Sequence, residues 1–211
     1  MAPPDDPRPR VSIVATGVAN TASVAAGFRR CGAEPVFIDD PASAQSADYL
    51  VLPGVGSFAA GMACLRERDL VGVIRDRVDE GRPTLAVCLG LQLLCESSEE
   101  SPGVEGLAVV PARIERFPAD VRAPQFGWNS VEPGPASRYV RAGYAYYANS
   151  YRLPAAPEGW AQATTVHASP FAAAIERGRV LACQFHPELS GRWGLALVKR
   201  WLQNGEEAPS C

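Results

Sequence analysis

Four short runs of apolar residues, at 11–15 (VSIVA), 34–38, 49–52 and 83–87, recur through the first half of the chain with amphipathic stretches between them. A strand that is apolar along its whole length has no face to offer water. It has to be covered on both sides, and helices between successive strands provide that cover. The intervening stretches carry the helical signal. Val24, Phe28 and Cys31 recur at spacings of four and three, with Asn20 ahead of them and Gly32 behind as a stop. Val71, Ile74 and Val78 do the same up to Gly81. This alternation predicts a parallel sheet with helices on both faces.

After Gly103 the pattern changes. Strand-like runs at 107–114, 144–148, 161–167, 171–175 and 180–185 follow one another with Pro and Gly between them, and read as mixed or antiparallel additions to the sheet. Leu195, Val198 and Leu202 mark a closing helix. The expectation is a single α/β domain over residues 11–203, with a Pro-, Asp- and Arg-rich tail at 1–10 and a second tail at 204–211. A length of 211 residues suits one domain with a substantial core.

Composition narrows the functional classes. A net charge of −3 supplies no basic field for nucleic acid. No apolar run reaches the ~20 residues of a membrane span, and the N-terminal residues lack the apolar centre of a secretion signal, so the cytoplasm is expected. Six cysteines (Cys31, Cys64, Cys88, Cys95, Cys183, Cys211) form no CxxC pair, and several sit in apolar runs, which argues against a disulfide scaffold. No close Cys/His cluster suggests a metal, and no cofactor is expected.

The segment Pro83-Thr-Leu-Ala86-Val-Cys88-Leu-Gly90-Leu-Gln92 concentrates the chemistry. A nucleophile between a strand and a helix needs a sharp turn, which requires small residues two before and two after it, here Ala86 and Gly90. At a helix N-terminus the macrodipole and free N–H groups favour a thiolate. On spacing alone a buried core cysteine is an equal alternative. Gln184-Phe-His186-Pro-Glu188 offers an imidazole with a carboxylate two residues on, although a loop histidine beside a surface glutamate would read the same way. The only other histidine, His167, has no nearby carboxylate. The loop Pro53-Gly54-Val55-Gly56-Ser57-Phe58 allows positive φ and peptide flipping, as an oxyanion donor would need, and equally suits a plain turn into a helix.

Together, PGVGSF, AVCLGLQ and QFHPE resemble a class I glutamine amidotransferase over nearly the whole chain, and that likeness implies the flavodoxin-like sheet of the family. The PGVGSF loop, together with Pro124-Gln125-Phe126-Gly127-Trp128-Asn129, narrows the resemblance to the glutaminase subunits of imidazole glycerol phosphate synthase. The resemblance implies Cys88 as the nucleophile that forms a glutamyl thioester, His186 as proton shuttle, and Glu188 as the group that orients it. It implies Gly54, Val55, Gly56, Leu89, Gln92, Ser150 and Tyr151 as residues that hold L-glutamine or its oxyanion. Gln125, Trp128 and Leu189 would face a synthase (cyclase) subunit, to which ammonia passes in a heterodimer.

Several positions depart from the family pattern. Only Gly17 and Asn20 match its N-terminal stretch, Ala86 stands for Gly, Asn149 for His, and Leu189 for a Lys that pairs with the synthase subunit. Alternatives therefore stay open: a paralogue serving another synthase, a silent regulatory subunit, or a stand-alone cysteine hydrolase.

Overall fold

A computed structural model describes residues 8–15 and 21–204. Gly17 and Asn20, and most of both expected tails, lie outside the described residues. Over the first half the chain runs β1 (Arg10–Val14), α1 (Thr21–Arg30), β2 (Glu34–Ile38), α2 (Pro41–Ser46), β3 (Tyr49–Leu52), α3 (Phe58–Glu67), α4 (Leu70–Asp79), β4 (Thr84–Val87) and α5 (Leu89–Leu94). Strands then dominate: β5 (Cys95–Ser98), β6 (Val110–Arg116), β7 (Gln125–Pro133), β8 (Gly143–Asn149), β9 (Tyr151–Arg152), β10 (Ala161–His167), β11 (Ser169–Arg177) and β12 (Val180–Cys183). A 3₁₀ turn at Pro187–Leu189 and α6 (Gly191–Leu202) close the fold.

Nine strands form one sheet in the order β2-β1-β3-β4-β12-β11-β10-β7-β8. Pairing is parallel from β2 to β12 and antiparallel from β12 to β8. The apolar runs behave as their patterning requires. Val11 and Ile13 point into the core under α1 and α6, whereas Val14, Leu50 and Leu52 point into the core under α3, α4 and α5. Burying each such side chain contributes roughly 1.5–3 kcal/mol, so both faces of these strands are held.

Three details differ from the sequence expectation. The run at 107–114 becomes β6, which starts at Val110 and joins β5 and β9 in a separate small sheet instead of extending the main one. In α6 the fully covered face is Leu197, Val198, Trp201 and Leu202, with Leu195 only partly buried. Trp201 fixes that face, meeting Tyr49 and Phe28 edge-on at 5.4 and 6.3 Å. In α4, Val71 is likewise only partly buried, while Arg77 is fully buried. Arg77 donates to the carbonyls of Ala44, Ala47 and Pro83 at 3.2, 2.8 and 3.0 Å, which ties α4 to α2 and to the start of β4. Burial lowers its pKa to about 10, so the cation survives on its carbonyl cage.

Candidate active site

The strand order decides where the chemistry sits. β12 is last in sequence but lies beside β4, with Cys183 opposite Val87. The residues that follow the two strands, Cys88 on one side and Gln184 to His186 on the other, therefore leave the same end of the sheet together, at the carboxyl ends of parallel strands.

Cys88 joins β4 to α5 with φ 53° and ψ −108°, a conformation that costs a non-glycine residue of order 1–3 kcal/mol. Its N–H donates to the Cys183 carbonyl at 2.7 Å, which fixes the turn. The turn also depends on missing side chains around it. A Cβ on Gly90 would lie 2.1 Å from the Leu52 carbonyl oxygen, and one on Gly54 would lie 2.5 Å from Leu89 Cβ. Those two glycines let the elbow sit flush on β3.

His186 and Glu188 meet through Nδ1 and Oε1 at 3.0 Å, both side chains nearly buried. The imidazole and the Cys88 thiol line the same cavity. Burial opposes the charged ring, but the interactions with Cys88 and Glu188 outweigh it and push the His186 pKa up to about 10. The backbone of His186 is held as firmly as its ring. Its N–H donates to the Tyr146 carbonyl at 2.9 Å, and its carbonyl accepts from Ser190 Oγ at 2.6 Å. Ser190 Oγ in turn accepts from the Tyr146 N–H at 3.0 Å.

Beside this triad lies a cavity of about 350 Å³ lined by Val55, Gly56, Cys88, Leu89, Gln92, Asn149, Ser150, Tyr151 and His186, among others. Most of the residues expected to hold the substrate are thus brought together. Gly54 is not among them. It is consumed by close packing on the elbow, and its carbonyl accepts the Leu89 N–H at 3.4 Å. Gly56, with φ 102°, does line the cavity, in the left-handed region that glycine favours. Asn149, in the place of the family's histidine, donates to the Tyr151 carbonyl at 3.0 Å.

Sequence reasoning missed two groups. Glu100 is the carboxylate in the cavity wall, anchored by the Phe58 N–H at 2.6 Å at the start of α3. The two lie 42 residues apart, and nothing local announces that contact. Gln184 is fully buried against Cys88, and its presence in QFHPE was the available signal.

The residues expected at a partner surface separate. Trp128 is 58% and Leu189 41% exposed, but Gln125 is turned inward at 5% and sits opposite Asn149. Alternation along β7 explains the correction: with Gln125 inward, Phe126 and Trp128 must point outward, and Phe126 is 74% exposed. The ring of Tyr146 meets both edge-on, at 5.7 and 6.2 Å.

A strained cysteine elbow, a buried histidine–carboxylate pair and an amino-acid-sized cavity on such a sheet define a cysteine-dependent amidotransferase type of site. The profile of the family described as glutamine amidotransferase class-I matches residues 13–202, and the chain belongs to that family. A solved structure titled as a glutamine amidotransferase superposes with a TM-score of 0.72 at 20% identity, covering 92% of this chain and 98% of its own. Among curated proteins, the imidazole glycerol phosphate synthase subunit HisH of Moorella thermoacetica is 38% identical, over 90% of this chain and 93% of that protein. The HisH subunit of Symbiobacterium thermophilum is 39% identical, over 91% and 92%.

Proposed function

We propose that the chain is the glutaminase subunit of imidazole glycerol phosphate synthase, releasing ammonia from L-glutamine for a synthase subunit in histidine biosynthesis. The observation that carries this is the convergence of Cys88 and His186 on one wall of the 350 Å³ cavity, with Glu188 bonded to the Nδ1 side of the imidazole. Full-length similarity to HisH subunits supports the choice of acceptor.

In this mechanism the Cys88 thiolate attacks the side-chain amide carbon of glutamine. The C–N bond breaks, His186 gives its proton to the departing nitrogen, and ammonia leaves a γ-glutamyl thioester. His186 then takes a proton from water as that water attacks the thioester, the C–S bond breaks, and glutamate departs with the thiolate and the protonated imidazole restored. Glu188 holds the Nδ1 side of the ring and stabilises its charge. The Val55 and Gly56 amides supply the oxyanion donors, and Leu89 joins them when its N–H leaves the Gly54 carbonyl. Glu100 faces the substrate's α-ammonium, with Gln92, Ser150 and Tyr151 around the rest of the amino acid. Phe126, Trp128 and Leu189 form the side turned to the synthase subunit. Buried, unpaired thiols at Cys64, Cys95 and Cys183 support the cytoplasm as the compartment.

A diazo ketone analogue of glutamine tests the assignment. It should label Cys88 alone and stop glutamate release, whereas labelling at Cys31 or Cys64 would overturn it. A second reading, a paralogue feeding a different synthase, is favoured by one observation: Leu189, exposed beside Glu188, cannot make the ion pair that the family's lysine makes. Coupled activity with a histidine-pathway synthase subunit decides between the two.

A further inference from the structure

A buried primary amide has to place two donors and an acceptor, and Gln184 has little freedom in doing so. Its orientation is set by a chain of partners that starts at a group unable to donate. The Tyr151 carbonyl accepts Gln92 Nε2 at 3.1 Å and Asn149 Nδ2 at 3.0 Å. Gln92 must therefore turn its amino group to this side, and the same nitrogen also donates to Gln184 Oε1 at 3.2 Å. With its oxygen taken, Gln184 points Nε2 at Cys88 Sγ, 3.7 Å away. Half a turn of Gln92 would set its oxygen against two acceptor oxygens, and half a turn of Gln184 would set two amino groups face to face, in both cases out of reach of water.

We propose that Gln184 is a further catalytic residue, donating an N–H to the Cys88 sulfur, with its polarity fixed through Gln92 by the backbone carbonyl of Tyr151. A hydrogen bond to sulfur is stronger when the sulfur is anionic, so the donor favours the thiolate over the thiol. It acts twice in the cycle, on the attacking thiolate and on the thiolate expelled when water opens the thioester. His186 approaches the same sulfur as a cation, so the two groups complement each other. His186 supplies charge, and Gln184 a neutral dipole that no protonation change removes. Gln92 also lines the cavity, which joins the substrate-facing wall to the sulfur through two amides.

The inference rests on Cys88 being the nucleophile, and the experiment separates the two claims. Alkylation of Cys88 by iodoacetamide is followed across pH by peptide mass spectrometry in wild type, Gln184→Met, Gln184→Glu and Gln92→Met, alongside kcat and KM for glutamine. In Gln184→Met the pH of half-maximal alkylation should move up by about one unit, and kcat should fall roughly ten- to a hundredfold with KM within about threefold. Gln184→Glu, which sets an acceptor against the sulfur, should move it further. Gln92→Met should move it in the same direction but less, because Gln184 is then free to turn. Alkylation profiles that superpose on wild type in folded Gln184 variants overturn the proposal. If neither Gln184 variant folds, an unshifted Gln92→Met profile overturns it. Failure of the underlying assignment looks different: Cys88→Ala would go on releasing glutamate.

Discussion

In the parallel half of the main sheet, β1, β3, β4 and β12 are packed between two helical layers, whereas in the antiparallel half β7 and β8 leave aromatic side chains bare. Phe126, Trp128 and Tyr144 are each more than half exposed, while every residue of β4 and β12 is buried. The difference separates two requirements. Proton transfer needs groups fixed to fractions of an ångström, and parallel strand ends locked from both faces provide that. The proposed recognition of a synthase subunit needs apolar rings that a free chain can keep in water, and a one-sided antiparallel pair offers such rings. Tyr146 belongs to both, with its ring among the aromatics and its backbone on either side of His186.

The sharpest test of this division is chemical. His186→Asn should lower glutamine turnover by about a thousandfold or more, and Glu188→Gln should leave a measurable remainder, because orientation is lost before proton transfer is. Both are read as glutamate release, with circular dichroism showing an unchanged fold. Next in size is packing. Gly90→Ala should cost about 3 kcal/mol in denaturant unfolding, since its Cβ meets the Leu52 carbonyl. Gly127→Ala, on the open half with nothing within 4 Å, should cost only the strain of a positive φ, about 1–2 kcal/mol.

The open half should answer to the partner instead. Trp128→Ala and Phe126→Ala should each weaken the complex with the synthase subunit by about 2 kcal/mol in titration calorimetry, and leave unfolding within about 0.5 kcal/mol of wild type. The elbow stores strain that glycine would release. Cys88→Gly should be more stable than Cys88→Ala by about 1 kcal/mol, with both inactive. The last expectation is a slope, and so the smallest at any one pH. His186 holds its proton more tightly folded than unfolded, so the stability this contributes is complete below about pH 6.5 and lost as pH rises through about 10. His186→Asn should remove that decline from a series of unfolding midpoints. A decline that persists would assign it elsewhere.

Legibility followed the same division. β1, β3 and β4 were visible because a strand buried on both faces leaves an unbroken apolar run, and β2 because its run is apolar although Phe37 is half exposed. β7 was not, because GWNS interrupts its alternation and its outer face carries aromatics in place of polar residues. The helix α2 was missed as well: it is a single capped turn and a half, started by Pro41 and Asp40, too short to show a period. In the site, Cys88, His186 and Glu188 stood out as candidates because a sharp elbow and a His-Pro-Glu turn are local constraints written in adjacent residues, and the family resemblance of the combined motifs assigned their roles.

By itself the sequence determined the α/β class, the elbow around Cys88 and the His-Pro-Glu turn, since each depends on residues near one another along the chain. Only the tertiary structure decided that Glu100 faces the cavity, that Gln125 turns inward while Phe126 turns out, and that Gln184 points an N–H at the sulfur. Those facts depend on strand order and register. The β4–β12 pairing joins segments 96 residues apart, and no local pattern encodes which atoms of two buried amides will face each other until that pairing forms.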